Sequence, residues 1–456
     1  MEQPGDERST EVMAELGGDV GKHAVEETKT VIETAGEVFP GGKMIEMLAG
    51  AAGGDPRLLL WSGKRKTVES SRVEYKEQQY RPMSIERSIA REFVLPGRLG
   101  TCGSTRELLH SICTLTKQLA ALPDQVASVM GRFILGTWAI EAFPVAPALI
   151  VNGPDVVRGE QLMSLLHCFC RHGLRVTGVT PAGFCSLPSG FRFTILLSQS
   201  TISGVLQRLL GDASCRDQRI PRRGVLLDLY GTQVIHSEST LEDGARIRPL
   251  LEVPMPLVGV PVPTLTQEKQ RQIRDDFQPK LLAYRCENLA KACDLQFDAS
   301  KLSNSLRPLA HALAAATPTD ADLRAEVLDL LRDEDREARS KRWTDLGTVV
   351  IESILFHCAE AAGADVYVYV GDLAQTAQEI LRHRGEEVEF DPGAIGKNLK
   401  MLGFKTEPRD AKGVRLRLSE QVRQQAQRLA REFEIPEDEA RSAPANGRKG
   451  KAIWST

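Results

Sequence analysis

The spacing of apolar residues changes period several times along this chain, and each change marks an element. Leu108, Leu109, Ile112, Leu115 and Leu119 recur at intervals of three and four, which predicts an amphipathic helix capped by Ser104-Thr105. Pro123-Asp124 opens a second helix, so that Thr105 to Ala142 reads as a helical pair. Short apolar runs then take over. Ala148-Leu149-Ile150-Val151 and Phe191-Arg192-Phe193-Thr194-Ile195-Leu196-Leu197 predict buried strands, with others near Val176, Val225 and Leu250 and helices near Leu165 and Leu206. Alternation of this kind predicts an α/β fold with a largely parallel sheet sandwiched by helices. Upstream, Leu58-Leu59-Leu60-Trp61 and the alternating Val73-Glu74-Tyr75 predict two or three strands around a solvated basic turn, Gly63-Lys64-Arg65-Lys66. Met1 to Asp55 is polar and rich in Gly, Glu and Thr, and predicts a weakly ordered arm with a helical patch from Val25 to Val38.

After the Pro-rich run Pro254 to Pro263, helical stripes dominate from Gln267 to Leu331, and the charged stretch Arg332 to Arg342 reads as an exposed connection. Beyond it come a helix over Asp345 to Ala362, a strand over Val366 to Val370, and a helix capped by Asp372 with Leu373, Ala377, Ile380 and Leu381 on one face. Asp391-Pro392 is a cap followed by a first-turn proline. It opens a helix with Ile395, Leu399 and Leu402 inward and Lys397 and Lys400 outward. Lys405, a turn from Pro408 to Gly413 and a strand from Val414 to Leu418 complete helix, strand, helix, helix and hairpin, the order of a winged helix. The domains expected are therefore an arm (1–55), a small β-rich module (56–92), a helical subdomain (93–147), an α/β core (148–260), a helical lid or connection (265–343), a winged-helix domain (344–435) and a disordered basic tail (436–456).

The loop between the first core strand and its helix carries the main chemical clue. Strand, Gly153 loop and helix have the layout of a P-loop. A working P-loop needs a second Gly for backbone approach to phosphates, a Lys for charge and a hydroxyl for Mg²⁺. Counted strictly from Gly153, those places hold Arg158, Gly159 and Glu160; with a one-residue insertion they hold Gly159, Glu160 and Gln161. Neither register supplies Lys or hydroxyl, and both bring in Glu160, whose charge repels a triphosphate. The strand ending at Leu197 is followed by Ser198-Gln199, where a Walker B strand ends in Asp-Glu to hold Mg²⁺ and polarise water.

These features, with Gly136-Thr137-Trp138 and Phe143-Pro144-Val145-Ala146-Pro147, resemble AAA+/helicase-like P-loop ATPases of bacterial and archaeal mobile elements, often associated with primase or replication genes. The resemblance runs from about Phe93 to Ile435. It implies a P-loop-NTPase-like core with a helical lid and a C-terminal winged helix, in a nucleic-acid setting. It places the family's P-loop Lys and Thr on Glu160 and Gln161 and its Walker B Asp and Glu on Ser198 and Gln199. An Asp-Arg pair before the final strand falls on Asp243-Gly244, with Arg246 and Arg248 nearby. The chain is thus a degenerate member by resemblance, expected to be without catalytic residues and without a cofactor. Self-association or a partner ATPase or primase is implied by the resemblance alone.

Composition narrows the partners. The formal net charge is -3 over 456 residues, so contact with DNA has to be local. From Leu381 to Leu418 nine Lys or Arg stand against six Asp or Glu, a local +3 that makes Lys397, Lys400, Lys405, Arg409, Lys412 and Arg415 the candidate DNA contacts. Nine scattered cysteines, no long apolar run and no cationic-then-apolar leader point to a cytoplasmic protein with reduced thiols and no membrane partner. His167, Cys168, Cys170 and His172 cluster without a second ligand group of zinc spacing, so no metal site is expected. Two other readings stand beside the pseudo-ATPase: a divergent ATP-dependent helicase or translocase using Arg158 for phosphate charge and Asp228 for Mg²⁺, and a protein-interaction scaffold without nucleic acid.

Overall fold

A computed structural model describes residues 30–50, 54–63, 67–237, 250–255, 262–361, 366–386 and 389–435. The sequence expects an unstructured arm where the chain instead forms strands β1 (Val31–Thr34), β2 (Gly36–Phe39) and β3 (Lys43–Leu48). The helix expected up to Val38 is therefore replaced by strand within the described residues. The cause lies in Met44, Ile45, Met47 and Leu48, whose apolar side chains are all buried, with Glu46 buried between them. Strands β4 (Arg57–Trp61) and β5 (Thr67–Ser70) extend it into an antiparallel sheet β2-β3-β4-β5, and β6 (Val73–Tyr75) and β7 (Gln78–Pro82) form a second sheet, β1-β7-β6. Most of the basic turn falls outside the described residues. Met44, Leu48 and Leu59 pack into the helical core, while Ile45, Met47 and Leu58 pack against the sheet side. This β-layer is thus built into the body of the protein.

The short helix α1 (Arg87–Ala90) leads to α2 (Thr105–Ala120) and α3 (Asp124–Thr137). Ser104 and Glu107 cap α2 reciprocally, each side chain accepting the other's backbone N–H at 3.1 Å. The core follows: β8 (Ala148–Asn152), α4 (Val156–Phe169), β9 (Gly173–Thr177), α5 (Pro181–Phe184), β10 (Thr194–Ser198), α6 (Gly204–Ala213), the hairpin β11 (Ile220–Arg222) and β12 (Val225–Leu227), β13 (Thr232–Ser237) and β14 (Leu250–Pro254). Five strands make one parallel sheet in the order β14-β8-β13-β10-β9. The core strand expected at Val225 is β13 instead. Val225 and Leu226 lie exposed in the hairpin, and every residue of β13 is buried.

Helices α7 (Gln267–Cys293), α8 (Arg307–Ala315), α9 (Ala321–Leu330) and α10 (Arg332–Thr344) come next. The charged connection is itself a helix, α10. It buries no residue and is laced by pairs one turn apart such as Arg339–Asp335 and Lys341–Glu337. The C-terminal module comprises α11 (Leu346–Glu360), β15 (Tyr367–Tyr369), α12 (Val370–His383), α13 (Pro392–Met401), β16 (Glu407–Asp410), β17 (Gly413–Arg417) and α14 (Glu420–Glu432), with an antiparallel sheet β15-β17-β16 and its own apolar core.

A buried ion network joins segments far apart in sequence. Glu46 on β3 accepts from Arg171 Nε at 2.6 Å and from Arg285 Nε at 3.0 Å, and His172 Nε2 lies 3.2 Å away. Arg285, in α7, reaches on to Glu141 at 2.6 and 2.9 Å, and Arg192 closes on the same carboxylate at 2.9 Å. Burial opposes ionisation of both glutamates, yet the guanidinium charges prevail and hold both carboxyls well below the usual range.

Candidate functional site

The strands of the parallel sheet end together: Asn152 of β8 pairs with Ser237 of β13, and His236 pairs with Ser198 of β10. Helix α4 starts at this carboxyl edge, where connections from neighbouring strands diverge, the usual place for a ligand crevice in an open α/β sheet. Here the chain's own groups occupy it. Gly153 has φ +134°, and a Cβ there would stand 2.4 Å from the carbonyl oxygen of Met255. The backbone after β14 closes on the loop, with Met255 N–H donating to Asn152 at 2.6 Å and Asp155 N–H donating to Met255 at 3.3 Å. Asp155 caps α4 by accepting from the Arg158 amide at 3.1 Å, so a carboxylate already sits at the helix N-terminus. The Arg158 side chain folds inward, buried, with Nε 3.6 Å from the same carboxylate.

Glu160 sits at the centre of the cluster. It meets His236 Nδ1 at 2.8 Å and is paired with Arg175, which also donates to Ser164 at 2.7 Å. Partial burial opposes its ionisation, but the nearby Ser198 side chain, the hydrogen bond with His236 and the charge of Arg175 outweigh that and hold the carboxyl below its ordinary range. Gly159 is required by this packing, since a Cβ would fall 2.3 Å from His236 Nε2. Gln161 donates to the carbonyls of Leu119 and, at 2.8 Å, Pro263, while its own oxygen accepts from Leu265 N–H at 3.3 Å. Gln199 turns away to the Thr201 carbonyl at 2.7 Å. The structure thus brings Glu160 and Ser198 together and assigns Gln161 to stapling α2 and the approach to α7.

Asp228 is elsewhere. It precedes β13, at the opposite edge of the sheet, where its carbonyl accepts from Gly190 N–H at 2.7 Å and its carboxylate pairs with Arg219 at 3.3 Å. The length of β13, about 17 Å at ~3.3 Å per residue, separates it from the Gly153 loop, so it cannot serve a Mg²⁺ ion there. The Asp243-Gly244 pair, Arg246 and Arg248 lie outside the described residues. His167 Nε2 is bound at 2.9 Å to the Glu92 carbonyl, burial pushes the Cys168 thiol up to about 11, and no group of three or more potential metal ligands occurs among the described residues.

Sequence reasoning missed His236, Arg175 and Met255. His236 had a signal, the run Thr232 to Ser237, but its polar residues obscured a buried strand.

In the C-terminal module Lys397, Lys400, Lys405, Arg409 and Lys412 are exposed. Arg415 is not free: it stacks on Tyr367 with its guanidinium carbon 4.2 Å from the ring centre, and donates to Glu407 at 2.9 Å. Asp410 ties the hairpin turn by accepting from Lys412 and Gly413 N–H at 2.8 and 3.0 Å.

No protein-family model matches this sequence, and no curated protein matches it. Among solved structures it is similar to the apo C-terminal region of NrS-1 (13% identity, 82% of this chain and 96% of that one, TM-score 0.33). It is also similar to a full-length MCM homolog from Methanopyrus kandleri (12%, 64% and 77%, TM-score 0.32) and to Cdc6p from Pyrobaculum aerophilum (11%, 77% and 99%, TM-score 0.19). The class defined by fold and site is mixed α/β, with a parallel five-stranded sheet consistent with a P-loop-like core. No helix among the described residues is long and apolar enough to cross a membrane.

Proposed function

We propose that this chain is a noncatalytic, AAA+/helicase-like pseudo-ATPase that associates with duplex DNA through a C-terminal winged helix. One observation carries the first half: Glu160, the residue that the sequence resemblance aligns with the P-loop lysine, is an ionised carboxylate held by His236 and Arg175. A carboxylate there repels phosphate, and Asp155 adds a second negative charge at the helix start. The Gly153 loop, whose amides cradle phosphates in an active P-loop, is backed by Met255. Addition of ATP and Mg²⁺ is expected to leave the melting temperature unchanged, whereas a ligand at a hundred times its Kd adds about 2.7 kcal/mol. A rise in a thermal-shift assay, or Mg²⁺-dependent phosphate release, would refute this half.

The second half is supported by α13 and the hairpin, which present Lys397, Lys400, Lys405, Arg409 and Lys412 to solvent. In this reading α13 enters a major groove and the hairpin touches phosphates. Arg415 acts as a brace that fixes the hairpin on Tyr367. The double variant Lys397→Glu/Lys400→Glu is expected to bind labelled duplex roughly ten- to a hundredfold more weakly, with the salt slope reduced by about one unit per lysine. Unchanged anisotropy titrations would remove α13 from the interface. The DNA-replication and mobile-element setting, a cytoplasmic location and assembly with a partner ATPase, a primase or further copies are proposed from the sequence resemblance.

A further inference from the structure

A second basic surface lies in the β-layer, far in sequence from the C-terminal lysines. Between β7, α1, the segment after it and α7 opens a cavity of about 1470 Å³. Arg72, Arg87, Arg91, Arg98 and Arg274 line it, and among the described residues none of the five has an acidic partner. Two further arginines at its wall are paired, Arg81 with Glu33 at 2.6 Å and Arg271 with Glu268 at 3.3 Å. The acids that line it are Glu33, Asp55 and Asp275, so seven cations face three anions. In a chain of net charge -3 this is a concentrated positive field.

We propose that this cavity binds the phosphate backbone of single-stranded nucleic acid. The arginines are distributed over the turn before β6, α1, the following segment and α7, as a chain of phosphates requires, and do not converge on one point as a single phosphate would require. Met83, Ile85, Phe93 and Leu95, each only partly buried, line the same cavity and offer apolar surface for bases. The site is independent of the C-terminal lysines, so either surface can fail without the other.

The test is fluorescence anisotropy of a labelled oligothymidylate titrated with the full chain at low and near-physiological salt. Saturable binding is expected, and Arg72→Glu/Arg87→Glu/Arg91→Glu should weaken it roughly tenfold or more and flatten the salt slope by about two units, at ~0.7 for each phosphate no longer neutralised. The corresponding alanine variant, with a melting temperature equal to the parent's, should show the same direction of change. Lys397→Glu/Lys400→Glu should leave oligothymidylate binding intact. The proposal is overturned by absence of binding, by unchanged affinity in the folded arginine variants, or by equal loss in the lysine variant. Inorganic tripolyphosphate competing as well as the oligonucleotide at equal phosphate concentration would also overturn it, in favour of a small polyanion.

Discussion

Glu46→Ala is expected to lower the unfolding free energy by about 3–5 kcal/mol, because it strands the buried Arg171 guanidinium without a close counter-charge and removes one of the two carboxylates that hold Arg285. Arg171 and Arg285 are both buried, and both donate to Glu46 through Nε, at 2.6 and 3.0 Å. Arg285 retains Glu141, but Arg171 is left with Glu141 at 3.7 Å as its nearest acid. The same network fixes a pH dependence. Both glutamates have folded-state pKa values below the ordinary 4.5, so the stability they add is fully present above that value and is lost as pH falls through the depressed one. Urea titrations of parent and variant should therefore differ most at neutral pH and converge as the medium is acidified below about 4.5. A difference under 1 kcal/mol at neutral pH would mean that water or rearrangement compensates the arginines, and the network would lose its role in docking the β-layer.

That network also marks where sequence reading stops. Local signals were legible: Ser104-Thr105 and Asp391-Pro392 set helix starts within a few residues, and apolar runs located β8, β9, β10 and β14. Glu46 was not legible, because its meaning depends on arginines 125 and 239 positions away. One charge inside Met44 to Leu48 reads as a break in a hydrophobic run until its partners are known. β13 was missed for a related reason. Gln233, His236 and Ser237 look unsuited to a central strand, yet each meets a tertiary partner: the Leu210 carbonyl, Glu160 and the Ser200 carbonyl. The exposed Val225 and Leu226 took its place because periodicity does not distinguish a hairpin edge from a core strand. At the candidate site the absence of a lysine and a hydroxyl residue from positions 158–161 could be read directly. The surroundings of Glu160 and Gln161 could not, since His236, Arg175 and Pro263 reach them through the fold.

Those surroundings determine what introducing Walker side chains should do. The variant Glu160→Lys/Gln161→Thr/Ser198→Asp/Gln199→Glu places them at the positions that the sequence resemblance assigns, and is expected to show no ATP turnover and a stability lower by roughly 2–4 kcal/mol. The loss follows from Gln161, whose amide makes three hydrogen bonds that thread α2 to the approach of α7, each contributing ~0.5–1.5 kcal/mol net. A lysine at 160 would add a cation beside Arg175 and His236, where a carboxylate now separates them. Turnover remains absent because side chains are only part of a phosphate site. Met255 still backs Gly153, and Asp155 still caps α4 with a negative charge. Phosphate release and melting temperature measured on the same preparation separate the outcomes. Mg²⁺-dependent turnover in a folded quadruple variant would mean that the side chains alone had silenced the site, and that the loop can open far enough to admit a triphosphate. A folded variant without turnover, made active only when Asp155→Gly is added, would assign the remaining block to the cap.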